Sequence, residues 1–138
     1  MAWQPPAHWA ESQSQLKKSG SVTLNSSGQG TIYFDPDTAR QRWVVSRVVV
    51  TTNQAFNAGT VPTVDLALNA NDVVTMSDGN RLGATWSGNQ DTWEGEIDVG
   101  PADFLSVIFG PPTGQAGTSL VGVICTAVIT GVKYNRRA

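Results

Sequence analysis

Short runs of β-branched and aromatic residues, separated by Gly, Pro, Asn and Asp, recur along most of the chain. Within these runs apolar and polar residues alternate, as in half-buried strands, and no helical period persists beyond a few residues. Turn signals recur about every eight to twelve residues, which is typical of a sandwich. The pattern therefore predicts an all-β fold of 8–9 strands, an antiparallel β-sandwich that is jelly-roll-like. The predicted strands are 21–24, 30–34, 42–52, 63–68, 73–76, 82–86, 92–99, 104–109 and the closing run 118–134.

Two predictions of pairing and burial follow from this pattern. The segments 21–24 and 30–34 flank a polar, Gly-containing loop, which predicts a hairpin. The run 42–52 is apolar on both faces and is expected to be a central strand. Strict alternation divides that run into one face with Trp43, Val45, Arg47 and Val49 and another with Val44, Ser46, Val48 and Val50.

The closing run from Thr118 to Tyr134 is almost unbroken apolar and β-branched sequence. Thr and Gly residues interrupt it and Lys133 lies near its end, so a buried strand is favoured over a membrane helix. Both of its faces carry apolar residues. One face can form the core of this domain, and the other is expected to be covered by a partner subunit or by the N-terminal segment.

Residues 1–18 are polar and contain Pro and Trp, and they are predicted to form an N-terminal arm before a β-sandwich domain over 19–138. Pro5 and Pro6 exclude a helix there and favour an extended path, while residues 10–18 could form one or two helical turns. Trp3 and Trp9 are large apolar side chains on a segment without a core of its own. We therefore expect Trp3, Pro5, Pro6 and Trp9 to bind a partner or the domain itself.

Composition narrows the function classes. The formal net charge of -2 and the pI near 5.1 argue against a nucleic-acid partner. His8 is the single histidine and Cys125 the single cysteine, too few for a catalytic triad or a zinc site. We therefore expect no enzyme activity, no cofactor and no metal, with Cys125 as a buried inert thiol. The N-terminus has no secretory signal pattern, so synthesis in a cytoplasm without a membrane partner is expected.

Two polar or aromatic groups in the acidic region 65–103 leave alternatives open. Glu94 and Glu96 share a strand face and could bind calcium or act in glycoside hydrolysis, although a solvated strand face that opposes edge pairing is the simpler interpretation. Trp86 and Trp93 flank a turn and could stack on sugars. Because Trp86 lies at a core-facing position, Trp93 is the candidate for a glycan contact.

Three segments carry a resemblance to a known family. They are 20–32 (GSVTLNSSGQGTI), 42–50 (RWVVSRVVV) and 82–91 (LGATWSGNQD), of which the last is the most specific. Over roughly residues 20–130 the chain resembles small β-sandwich virion proteins of actinobacterial tailed phages, usually described as minor tail proteins. The resemblance has no counterpart for residues 1–18.

The resemblance implies a non-enzymatic structural component of a tailed phage virion, assembled in the bacterial host cytoplasm from other virion proteins and as a homo-oligomer. A minor tail or tail-tip protein is the first expectation. A head-decoration protein on the capsid surface is an alternative, because a small β domain with an arm also suits that position. A carbohydrate-binding module that recognises a host surface glycan is the alternative from another class.

Overall fold

The computed structural model describes residues 11–54, 62–69, 71–78, 86–87, 90–111 and 120–136. Within them the chain forms strands and connecting turns, and no helix there is long and apolar enough to cross a membrane. The strands are β1 (Glu11–Thr23), β2 (Gly30–Phe34), β3 (Gln41–Thr52), β4 (Thr63–Leu68), β5 (Asn71–Asp78), β6 (Trp86–Ser87), β7 (Gln90–Val99), β8 (Leu105–Gly110) and β9 (Ile124–Arg136).

The strands form two antiparallel sheets that pack face to face. One sheet has five strands in the order β1-β9-β3-β7-β6, and the other has four in the order β2-β8-β4-β5. Strands that are consecutive in the chain mostly alternate between the sheets, so β1 and β9 pair in one while β2 and β8 pair in the other. This is the strand arrangement of a jelly roll, and it confirms the predicted all-β, jelly-roll-like sandwich.

The core lies between the two sheets. Alternate residues of the strands point inward, and most of those side chains are fully buried. Trp43 is the largest of them, and its indole Nε1 donates a 2.8 Å hydrogen bond to Oε1 of Gln41. The remaining buried apolar residues of the cluster come from both sheets and include Leu16, Ile32, Phe34, Val45, Val48, Val50, Val64, Leu66, Ile97, Val99, Leu105, Val107, Phe109, Cys125, Ala127 and Ile129.

The predicted hairpin between 21–24 and 30–34 is wrong. β1 belongs to the five-stranded sheet and β2 to the four-stranded sheet, so the connection crosses from one layer to the other. Oδ1 of Asn25 accepts hydrogen bonds from the backbone N–H groups of Ser27 and Gln29, and Gly28 adopts a φ of 71°. Polar loop chemistry predicts a turn here, but it does not specify whether the second strand returns to the same sheet.

The strict alternation predicted along β3 is also wrong beyond residue 45. The register of β3 with both β7 and β9 shifts between Val45 and Arg47, which is a β-bulge. Because of the extra residue, Val48 and Val50 join Trp43 and Val45 on the core side, and Val49 joins Val44 on the outward side. The prediction that β3 is a central strand is confirmed, since β9 and β7 flank it.

The two ends of the chain differ from expectation in detail. Residues 11–18 are not helical, because they form the first part of β1 and pair with β9. The predicted boundary at residue 18 thus falls inside a strand. The closing strand begins at Ile124 and not at Thr118, since residues 121–122 form a turn in which Gly122 has a φ of 77°.

Candidate functional site

The predicted arm residues Trp3, Pro5, Pro6 and Trp9 lie outside the described residues. The described chain begins at Glu11, at the start of β1. β1 is an edge strand of the five-stranded sheet.

Trp93 lies on the core side of β7, opposite Val48 of β3. It is half-buried and packs against the hydrophobic core. A Cβ on Gly95 would overlap Cζ2 of Trp93, so the indole ring lies over that glycine. Part of the indole ring is thus covered by its own chain. The glycan hypothesis instead requires the ring to be exposed at the protein surface.

Glu94 and Glu96 lie on either side of Gly95, within the irregular part of the β3–β7 pairing. Both are exposed. Oε1 of Glu94 lies 3.8 Å from Nε of Arg47, the residue opposite it on β3. Among the described residues, no group of three or more His, Cys, Asp or Glu side chains is placed to hold a metal ion.

The Cys125 thiol is fully buried on the core side of β9, as predicted. Burial disfavours the thiolate and raises the pKa of Cys125 to about 12. At neutral pH the thiol is therefore protonated and unreactive.

Asp103 lies in the turn between β7 and β8, and its carboxylate stabilises that turn. Its carboxylate accepts 2.8 Å and 2.9 Å hydrogen bonds from the Asn69 side-chain amide and from the backbone N–H of Gly100. These two bonds, that of Asn69 first, hold the pKa of Asp103 below its usual value of 3.8. Asn69 itself has a positive φ of 53° and accepts a hydrogen bond from the Phe104 N–H. The carboxylate is thus a loop-stabilising group.

Among the described residues, the outward side of the five-stranded sheet carries a group of apolar side chains that do not belong to the core. None of the described strands of the other sheet lies on this side. We call its central part the Val/Thr face. It is formed by the outward side chains of two neighbouring strands, which are Ile124, Thr126, Val128, Thr130 and Val132 of β9 and Val44, Val49 and Thr51 of β3.

The cross-strand register brings these side chains into rows. Val128 lies opposite Val49, and Val132 lies opposite Val44. The residues of the face are half-buried by their neighbours, except for Ile124, whose exposed fraction is 43%. At one end the guanidinium carbon of Arg42 lies 4.1 Å from the centre of the Tyr134 ring. That cation–π contact fixes both side chains beside the apolar rows.

Charges of opposite sign flank the Val/Thr face. On the β1 side the outward residues are polar and include Lys17, which is exposed. On the β7 side they include Glu94 and Asp98, both also exposed. Lys17, Thr130, Arg47 and Glu94 form one row across four strands. The face therefore has a basic edge, an acidic edge and a centre of Val and Thr side chains, beside which Arg47 is an exposed cation that pairs with Glu94.

Sequence reasoning identified part of this surface. The sequence predicts that one of the two apolar faces of the closing run needs a cover, and in the structure Val128, Val132 and Tyr134 lie on the outward one. The contribution of β3 was missed, because the bulge changes which residues face outward after Val45. The charge arrangement was missed as well, since Lys17 and Glu94 are far apart in sequence and only the strand order brings them to opposite edges. The sequence signal for the β1–β9 pairing is weak. It consists of hydroxyl residues on both strands, such as Ser21 and Thr126, which lie opposite each other and hydrogen-bond in the structure.

No protein-family model and no curated protein matches the chain. Among solved structures, the crystal structure of FLHE has a TM-score of 0.44 at 18% identity, covering 91% of this chain and 98% of that one. The infectious bursal disease virus VP2 subviral particle has a TM-score of 0.35 at 15% identity, covering 93% of this chain and 37% of that one. The catalytic domain of a GH87 alpha-1,3-glucanase has a TM-score of 0.30 at 10% identity, covering 96% of this chain and 29% of that one. At these values none of the likenesses bears on function.

Proposed function

We propose that this protein is a non-enzymatic structural component of a tailed phage virion, a minor tail or tail-tip protein that assembles through its N-terminal segment and its sheet faces. The observation that carries the proposal is the Val/Thr face. Surfaces with a half-exposed apolar centre and a polar rim are typical of protein–protein contacts. Here Val128 and Val49 lie at that centre, and Lys17 and Glu94 lie in the rim.

The architecture supports the same role. A jelly roll forms two broad sheet surfaces on a single domain, and it is a recurrent fold of virus shells as well as of lectins. The many long-range strand pairings provide rigidity in the absence of any disulfide, since Cys125 is alone in the sequence. The resemblance of segments 20–32 and 42–50 to minor tail proteins falls on β1, β2 and β3, whereas the third segment, 82–91, lies mostly outside the described residues.

The N-terminal segment supplies the second contact in this proposal. The first described residue, Glu11, begins β1, which is the outermost described strand of its sheet, at the end of the Val/Thr face marked by Arg42 and Tyr134. Trp3 and Trp9 are large apolar anchors of the type that contributes most binding energy in interfaces. Pro5 and Pro6 limit the conformational freedom that such a segment loses on docking.

Particle incorporation tests this function. Phage particles are assembled with the full-length chain, with a chain lacking residues 1–10, and with Trp3→Ala/Trp9→Ala, and the protein in purified particles is quantified by mass spectrometry. We expect the full-length chain in particles and at least a tenfold loss for both variants. Absence of the full-length chain from particles would contradict the virion role. Unchanged incorporation of the two variants would contradict the anchoring role of the N-terminal segment.

A further inference from the structure

We propose that two copies of this chain pack against each other through their Val/Thr faces, forming a two-fold dimer whose axis runs parallel to the strands between β9 and β3. This inference rests on the proposed function only for the purpose of the dimer, which would be assembly of the virion. The contact itself is argued from the surface of the chain alone. It concerns one surface and one partner, a second copy of the chain.

The strand order makes the outward surface self-complementary. Its four adjacent strands are β1, β9, β3 and β7. A two-fold axis parallel to these strands and midway between β9 and β3 places β9 over the partner's β3 and β1 over the partner's β7. Such an isologous contact repeats each interaction twice, which is the usual form of a closed dimer.

The same operation pairs opposite charges. Lys17 and Glu94 are the two ends of one cross-strand row, with Thr130 and Arg47 between them. The axis exchanges the ends of this row, so each Lys17 faces Glu94 of the second copy. In the next outward row, Gln15 would face Asp98 of the second copy. A two-fold axis across the strands would instead place β1 on β1 and β7 on β7, with like charges opposed, which electrostatic complementarity disfavours.

The apolar centre matches in the same way. Val128 of β9 would meet Val49 of the second copy, and Val132 would meet Val44. These β-branched side chains are half-buried within a single copy, and packing a second sheet on them would complete their burial, as between the layers of a sandwich.

The area suffices for a specific contact. Four strands about 4.8 Å apart and rows covering about nine residues of about 3.3 Å each give a surface of about 600 Å² per copy. Two copies would bury about 1,200 Å² in total, above the roughly 1,000 Å² that separates specific interfaces from adventitious ones. An interface of this size is at the low end of the standard range, so we expect a dimer that dissociates on dilution.

Sedimentation velocity over a range of concentrations tests the dimer. We expect the wild type to dimerise and Val49→Lys to weaken dimerisation at least tenfold, because the substitution adds one more cation per copy beside Arg47 and replaces the apolar contact of Val49 with Val128 of the second copy. Ile108→Lys is the matched control, since Ile108 is a half-buried β-branched residue on the outward side of the other sheet, and this variant should dimerise normally. A wild type that stays monomeric up to about 1 mM, or a Val49→Lys variant that dimerises normally, would overturn the inference.

Charge exchange and crosslinking test the geometry without altering the apolar centre. We expect Lys17→Glu to weaken the dimer about five- to tenfold and Lys17→Glu/Glu94→Lys to restore it. A zero-length carbodiimide crosslinker should join Lys17 to Glu94 only between copies, because three strand spacings, about 14 Å, separate them within one copy. Failure of the double variant to restore the dimer together with absence of this crosslink would overturn the proposed axis.

These results separate the dimer from the virion role. A monomeric chain that is still incorporated into particles would overturn the dimer alone. A dimeric chain that is absent from particles would overturn the virion role alone.

Discussion

Val49 of β3 lies directly opposite Val128 of β9 on the outward side of the five-stranded sheet. Both side chains are only half-buried, although they occupy the two central strands of the outward surface. In a sheet that faced water alone, polar residues would be expected at such positions. The pair therefore marks the surface through which we propose that the chain assembles.

The position of Val49 depends on the bulge at Val45–Arg47, beside which Gly131 of β9 lies close to the backbone of β3. A Cβ on Gly131 would overlap the carbonyl oxygen of Val44. We expect Gly131→Ala to destabilise the fold by about 1–3 kcal/mol, since the backbone of β3 must move to relieve the overlap. Urea denaturation measures the change. Thr130→Ala is the control at the adjacent position of β9. It also ends in Ala, but it adds no Cβ and so creates no overlap with β3. Equal stability of Gly131→Ala and wild type would show that the two backbones do not approach this closely.

Gln41 joins the start of β3 to the end of β9. Its Oε1 accepts hydrogen bonds from Nε1 of Trp43 and the backbone N–H of Asp37, and its Nε2 donates to Oδ1 of Asn135. We expect Gln41→Leu to lower the free energy of unfolding by about 1–3 kcal/mol, because the buried Trp43 N–H loses its acceptor. The measurement is chemical denaturation, with Gln13→Leu at an exposed position of β1 as the control. A similarly small effect of both substitutions would argue against the Gln41 network.

Trp93 separates the structural role from the glycan alternative. Because its indole packs on the core and over Gly95, we expect Trp93→Ala to destabilise the fold by about 1–3 kcal/mol, less than a fully buried tryptophan. Thermal denaturation and a glycan array on the same samples provide the two readouts. Trp93→Phe should retain most of the stability. Unchanged stability of Trp93→Ala combined with loss of glycan binding would support a carbohydrate-binding module.

Asp103 predicts an acid-dependent loss of stability. Its pKa in the folded protein lies below the usual 3.8, so its hydrogen bonds stabilise the fold above about pH 4 and the contribution disappears as pH falls through the folded pKa. We expect Asp103→Asn to be less stable than wild type at neutral pH and the difference to shrink in acid. Denaturation curves from pH 2 to pH 7 test this. A constant difference over that whole range would exclude the carboxylate as its source.

The sequence patterns predicted the fold class well and the pairing of strands poorly. The strand at 63–68 and the central position of β3 were predicted correctly, because both follow from the order of apolar and polar residues within a short segment. The crossing from β1 to β2 and the bulge after Val45 depend on long-range packing, and the polar loop at 25–29 is compatible with either a hairpin or a crossing. Residues 11–18 contain residues that also suit a helix, so only their pairing with β9 makes them a strand.

The candidate surface was predictable in part for the same reason. The sequence shows apolar residues on both faces of the closing run. Only one face can pack on the core, so the other predicts an apolar outward surface. Its continuation onto Val44 and Val49 needs the bulge, and the opposed charges of Lys17 and Glu94 need the strand order. The surface is thus a product of the tertiary fold.

Direct imaging of purified phage particles assembled in the presence of this chain tests the central claim, that the chain is a virion component. In a cryo-electron microscopy map the jelly roll should fit density in the tail or its tip, with the outward side of the five-stranded sheet, including Val49 and Val128, covered by a neighbouring subunit. Density for the domain on the head would retain the virion role and correct the tail assignment. A particle map without the domain, or a domain whose Val/Thr face is open to solvent, would contradict the account.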